Sequence, residues 1–343
     1  MWPPHSHVII ASDSEDWSLS WDAVAAQTIC KRLGIPSQIH PQFRGLRNQC
    51  LFGMSQFMLL KPQWLSSPNR FAFPYYHGLP GTGDKHFDTI YHNLEQHHDR
   101  VARVQVTHQQ LRSLVLSTGI DPAKVFTIRI GIDCSHFPLK TDEHVRASRS
   151  RHTIPTDAFV VASLHKDGVG WEDGFEPKLI KGPDVFLHTI ELLKKDIPNL
   201  HVLLSGPARG FVRRGLDRIG VPYRHVYLDN YLEMSALYHA ADVYVVASRQ
   251  EGGPKAVLEA MASGTPVVST RVGQAQELIE TGVNGFLAPV EDATTLAEHV
   301  RELYRRRGSL GPLTAAGRRT AEANDYAAQT DLWRAFYQGY YVS

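Results

Sequence analysis

The stretch S-R-Q-E-G-G-P-K-A-V-L-E-A-M-A-S-G, Ser248 to Gly264, lies between two apolar runs at 243–247 and 266–269. The runs read as buried strands, and the stretch as a turn leading into a helix over 255–262. Gly252 and Gly253 let the backbone come close to a ligand, and Pro254 suits the first helical turn. The N–H groups and positive dipole end at Gly253 to Lys255 form a natural place for phosphate or sugar hydroxyls. Glu251 falls in the turn. Glu259 falls about one turn into the helix, where a carboxylate can accept two hydrogen bonds from a vicinal diol such as ribose. The competing reading makes both glutamates simple partners of the helix dipole.

Working outward, short apolar strands and amphipathic helices alternate along the whole chain, which predicts parallel sheets covered on both faces. In the first half, strands are expected near 7–11, 49–52, 70–75, 101–106 and 125–128, with helices near 21–33, 87–98 and 109–118. A polar, charge-rich stretch follows and reads as a linker over 139–152. The second alternation has strands near 159–164, 201–205, 225–228, 243–247, 266–269 and 285–287, and helices near 183–195, 234–240, 255–262 and 293–306. The expected organisation is an α/β protein with an N-terminal Rossmann-like domain over 1–138 and a second over 153–323. Their sheets would face a central cleft, since open α/β sheets bind ligands at strand carboxyl ends.

The bulk numbers agree with two cores: 343 residues, 43% hydrophobic and 21% charged. A net charge of +1 gives no broad attraction to nucleic acid or anionic lipid, and Arg305-Arg306-Arg307 reads as the basic end of a helix. Cys30, Cys50 and Cys134 make neither a disulfide framework nor a C-x-x-C pair. The start M-W-P-P-H-S-H lacks the regions of a signal peptide, and no run of 18 apolar residues occurs. A cytoplasmic protein with at most peripheral membrane contact is expected. The 18 histidines are scattered, without H-E-x-x-H, and no metal is assigned to them.

E-G-G-P followed by V-L-E-A-M-A-S-G-T-P-V-V resembles the E-x7-E signature of retaining GT-B glycosyltransferases, in particular family four of their classification. Gly131-Ile132-Asp133-Cys134-Ser135-His136-Phe137-Pro138, Lys181-Gly182 before Pro183-Asp184, and Asn284-Gly285-Phe286-Leu287 resemble further motifs of that family in the expected order. The likeness is good over about 130–325 and loose before it. It implies that Glu251 contacts sugar hydroxyls, that Glu259 holds the ribose diol, and that Lys181 binds the donor diphosphate. It also implies that Gly252, Gly253, Pro254 and Lys255 line the sugar and distal phosphate, with Gly206 among the donor-binding residues. The last helix, within 324–343, would return to the first domain with Trp333, Phe336, Tyr337, Tyr340 and Tyr341 as packing residues.

The chain departs from the family pattern in three places. Glu176 stands where an arginine is usual five residues before Lys181, and G-W-E-D-G-F-E-P is inserted after His165-Lys166-Asp167-Gly168. Lys166 is the candidate second phosphate cation, Lys178 its rival, and the insertion is expected to fold over the donor or against the first domain. The loop after the first strand has Asp13-Ser14-Glu15-Asp16 in place of Gly-Gly; it has the look of a metal site, but the resemblance points to a metal-independent enzyme without cofactor. His77 is either the histidine that reaches the transferred sugar in relatives or a structural one, and Asp84 is a weaker acceptor-side candidate. By resemblance the reaction moves a glycosyl group from a UDP- or GDP-sugar to a hydroxyl of a glycan, lipid-linked or small-molecule acceptor, with retention. The alternatives are a GT-B nucleotide-sugar 2-epimerase and a non-catalytic sugar-nucleotide-binding protein.

Overall fold

A computed structural model describes residues 7–11, 17–41, 43 and 45–342, with the backbone alone over 17–20. The chain forms two compact units, 1–130 together with 326–343, and 131–325. Unit 1 holds strands β1 (Val8–Ala11), β2 (Ser37–His40), β3 (Cys50–Gly53), β4 (Arg70–Tyr75), β5 (Val101–Val106) and β6 (Val125–Thr127), with helices α1 (Trp17–Arg32), α2 (Lys85–His97) and α3 (Gln109–Leu116). Unit 2 runs α4 (Asp142–Arg151), β7 (Phe159–Ser163), α5 (Pro183–Lys194), β8 (Leu200–Ser205), α6 (Gly210–Ile219), β9 (Tyr223–Val226), α7 (Met234–Ala240) and β10 (Val243–Val246). It continues α8 (Lys255–Ala262), β11 (Val267–Thr270), α9 (Ala275–Leu278), β12 (Phe286–Ala288), α10 (Ala293–Arg305) and α11 (Gly311–Glu322). Helix α12 (Thr330–Tyr337) lies in the segment that rejoins unit 1.

Each unit is a six-stranded sheet with every pairing parallel, in the orders β2-β1-β3-β4-β5-β6 and β12-β11-β10-β7-β8-β9. The strands are near-continuous apolar runs because both faces are covered. Along β7, Val160 and Ala162 enter one core of unit 2, while Phe159 and Val161 enter the other. In each sheet the chain winds outward in two directions from adjacent strands. The reversal falls between β1 and β3 in unit 1 and between β7 and β10 in unit 2. Loops leaving the carboxyl ends of such a pair diverge and leave a crevice, the usual ligand position of doubly wound folds.

The stretch expected as a linker over 139–152 is instead helix α4, and the division between units falls at 130/131 rather than after 138. Its charges conceal a well-capped helix. Thr141 and His144 form a capping box, Asp142 and Glu143 occupy the first turn, and Arg149 and Arg151 the last. Arg149 is buried, with Nη2 2.8 Å from Asp242 Oδ2 and Nε donating to Ala240 O at 3.2 Å. In unit 1, Trp333, Phe336, Tyr337 and Tyr340 pack into the core formed with Val8, Ile10 and Phe52. Tyr340 Oη donates to Leu51 O at 2.7 Å, and Arg70 Nη1 donates to Tyr340 O at 2.7 Å. Those aromatics are core residues.

Candidate functional site

The crevice of unit 2 is flanked by the loop after β7, which carries His165, Lys166, Lys178 and Lys181, and the loop after β10, which carries Ser248 to Pro254. The two loops interlock through their backbones, since Arg249 N and Gln250 N both donate to Ile180 O, at 2.9 and 3.2 Å. Gly182 makes this approach possible. It has φ +63°, and a Cβ there would lie 1.9 Å from Ala247 O. Arg249 then fastens the junction: it donates to both Asp184 oxygens at 2.8 and 2.7 Å, to Leu179 O at 2.7 Å and to Glu291 at 2.6 Å. Such a planar bidentate pair is more fixing than a lysine contact.

Held by this frame, Lys181 Nζ lies 2.7 Å from both oxygens of Glu251. Ser248 Oγ donates to Glu251 Oε1 at 2.8 Å. Burial pushes the Glu251 carboxyl up, but the Lys181 ammonium, His165 and the Ser248 hydroxyl outweigh it and leave the group below its ordinary range. His165, beside this pair, is driven down to about 3 by burial, then by the charges of Arg209 and Lys181, so its imidazole is neutral at pH 7. Sequence reasoning missed His165, Ser248 and Arg249 as site residues.

Helix α8 starts directly beyond Glu251. Pro254 holds the N-cap position, one residue earlier than a first-turn placement, and supplies no side-chain cap. Gly252 O accepts from Gln274 N at 3.0 Å, which fixes the Gly-Gly turn against the loop after β11. Glu259 is buried one turn inside α8. Tyr238 Oη donates to its Oε2 at 2.7 Å, and Tyr231 Oη donates to its Oε1. The two phenols, one on each carboxylate oxygen, orient the Glu259 side chain. Neither tyrosine was singled out from sequence, because they lie 28 and 21 residues away from Glu259.

Lys166 leaves the end of β7 with its ammonium 3.9 Å from the centroid of the Trp171 ring. Gly206, in the loop after β8, has φ +88°, and a Cβ there would meet Lys166 N at 3.4 Å. Lys178 N donates to Asp167 O at 2.8 Å. The insertion docks on α6 of its own unit, where Asp173 O and Gly174 O accept from Gly210 N and Phe211 N at 2.6 and 3.0 Å. The structure thus brings Lys166, Lys181, Gly206, Glu251, Gly252, Gly253, Pro254, Lys255 and Glu259 to one sheet end of unit 2.

His77 belongs to unit 1, just past β4, with its ring 5.8 Å from Phe57 and 5.6 Å from Phe87. Its backbone is held by the buried Gln56, which accepts from Tyr76 N at 2.6 Å and donates to His77 O. Asp84 is the N-cap of α2, accepting from His86 N at 2.9 Å, which accounts for its carboxylate without an acceptor. The Asp13 to Asp16 run lies outside the described residues. Among the described residues, no group of three or more His, Cys, Asp or Glu is arranged to hold a metal ion, and no helix is long and apolar enough to cross a membrane.

This architecture, two doubly wound parallel units, is the GT-B fold. It superposes on the crystal structure of Anabaena Alr3699/HepE in complex with UDP-glucose with a TM-score of 0.77 at 15% identity, covering 97% of this chain and 100% of that one. Residues 174–306, which lie within unit 2, match the family model of the glycosyl transferases group 1. The D-inositol 3-phosphate glycosyltransferase of Corynebacterium efficiens is 31% identical over 207 residues, 57% of this chain and 46% of that protein. The D-inositol 3-phosphate glycosyltransferase 1 of Catenulispora acidiphila is 28% identical over 246 residues, 68% of this chain and 56% of that protein. The chain spans about half the length of these curated relatives.

Proposed function

We propose that the protein is a glycosyltransferase that takes a sugar from a UDP- or GDP-sugar and delivers it to a hydroxyl acceptor with retention of configuration and without a metal. The observation that carries this reading is the Lys181–Glu251 pair at the switch point of unit 2, set against the start of α8, with Glu259 one turn further on. When a donor enters, Lys181 turns to the diphosphate and Glu251 to sugar hydroxyls. Glu259, oriented by Tyr238, accepts from the ribose diol. The departing diphosphate gains negative charge as the glycosidic bond breaks; Lys181, Lys166 and the α8 N-terminus stabilise that charge. Both glutamates stand on one turn and helix rather than on opposite walls of a sugar, unlike the carboxylate pair of a hydrolase. The leaving phosphate then takes the proton of the acceptor hydroxyl. Support for the donor class comes from the Anabaena neighbour crystallised with UDP-glucose. Support for an alcohol acceptor comes from the names of the curated relatives.

Calorimetric titration of UDP and of GDP in the presence of a chelator tests the reading directly. One of the two is expected to bind. Glu259→Ala should weaken that binding about tenfold or more, the loss of charge-assisted hydrogen bonds of about 1.5–3 kcal/mol. Absence of binding by both nucleotides, or an unaltered affinity in the variant, refutes the assignment.

A further inference from the structure

A lysine is a compact charge on a flexible stem, so it makes a well-aimed phosphate ligand only if something restricts it first. At Lys166 the structure supplies that restriction. The ammonium sits over the Trp171 indole at 3.9 Å, and the indole is itself 59% exposed, so this contact lies at the surface of the loop rather than in the core. What keeps Trp171 in place is the backbone on either side of it. Val169 N donates to Glu176 O at 2.9 Å, Gly168 pairs with Pro177, and Lys178 N closes the loop on Asp167 O at 2.8 Å.

The far side of the loop is bolted to α6 by the Asp173 and Gly174 carbonyls, and Arg214 lies over the Phe175 ring at 3.4 Å. Lys166 is anchored from beneath as well. Its neighbour Asp167 is ion-paired at 3.0 Å with Arg209, and both side chains are fully buried. Arg209 also donates to Ser163 O, His165 O and Ser205 O at 2.7, 2.6 and 2.8 Å. The same docking has a second consequence: the first amides of α6 are spent on the insertion's carbonyls. That helix start, close to the end of β8, is thereby closed to an anion.

We propose that Trp171 is a positioning residue for the donor diphosphate: its indole holds Lys166 at the mouth of the β7–β10 crevice, and the insertion exists to place that indole. The proposal rests on the nucleotide-sugar reading above. Stacking on the ring restrains the lysine stem before the ligand arrives and leaves the outer face of the ammonium to the phosphate oxygens.

The test is a double-mutant cycle on the full chain, measuring affinity for UDP or GDP, whichever the wild type binds, and for the matching nucleoside, which lacks phosphate. Trp171→Leu is expected to weaken diphosphate binding about two- to fivefold, the scale of an exposed cation–π contact, and to leave the nucleoside unchanged. Trp171→Phe, which keeps a π face, should retain most of the affinity. In a Lys166→Gln background, Trp171→Leu should have no further effect. Additive losses, equal losses for nucleotide and nucleoside, or a silent Trp171→Leu each overturn the proposal while leaving the donor reading intact. A wild type that binds neither nucleotide overturns both.

Discussion

Lys181 and Glu251 neutralise one another at 2.7 Å, and the neutral imidazole of His165 lies beside them. Burial first, and then the positive charges of Arg209 and Lys181, make the imidazole titrate so low. The consequence for stability can be worked out in sign. His165 has a folded value of about 3 against 6.5 for the ordinary group. Between those values the unfolded chain binds a proton that the folded chain refuses, so stability falls as pH drops through that window. Glu251 acts in the same direction: its lowered carboxyl stabilises the fold above the ordinary carboxylate range and loses that contribution as pH falls through the folded value. Melting temperature measured from pH 7 down to pH 4 should therefore decline, and His165→Gln should flatten the decline because the variant has no proton to take up. An undiminished slope in the variant would show that His165 is not held neutral.

Among the elements, α5, α7, α8 and α10 were legible from sequence to within a residue of their ends, because apolar periodicity, Pro183 and the flanking strands all agree there. Helix α4 was not, since its buried Arg149 reaches Asp242 and, just before the helix, Lys140 Nζ donates to Ala241 O at 2.7 Å, contacts that look like solvated charge in one dimension. The site divides the same way. Glu251, Glu259 and Lys181 stand in motifs, whereas Arg249, Tyr231 and Tyr238 acquire meaning only when strands bring distant loops together. The element that joins both kinds is the turn at Gly182. An alanine there would be strained at φ +63° and would drive its Cβ into Ala247 O, a backbone atom that cannot swing away. Gly182→Ala is expected to lower the melting temperature by several degrees, at about 2–4 °C per kcal/mol for a unit of this size. It should also cut turnover by separating Lys181 from Glu251. Gly34→Ala is the control: it too sits at positive φ, but no atom lies within 4 Å of the added Cβ. Equal losses in both variants would assign the effect to backbone strain alone and remove the interlocking of the two loops from the account.

At the scale of the whole molecule, the two units share an architecture but not a topology. Unit 2 has the strand order of a dinucleotide-binding Rossmann sheet, and unit 1 that of a flavodoxin-like sheet with an added edge strand. The residues that the sequence offered for diphosphate and ribose recognition fall in unit 2, at the sheet end beside its switch point, whereas His77, offered for the transferred sugar, lies in unit 1. A ligand that binds the native state alone stabilises it by RT ln(1 + [L]/Kd), about 2.7 kcal/mol at a hundredfold excess over Kd. That stabilisation is felt by whichever cooperative unit must open to release the ligand. Hydrogen exchange followed by mass spectrometry, with and without saturating UDP or GDP, should therefore slow in peptides covering β7, β10 and α8. Peptides covering β3 to β6 should exchange as before, because the expected nucleotide contacts all come from 131–325. Lys181→Ala should lessen the protection by weakening the hold on the diphosphate, and Glu259→Ala by releasing the ribose. Protection confined to β3 to β6, or present in equal degree in both units, would contradict a nucleotide site built by unit 2, whatever the sequence motifs imply.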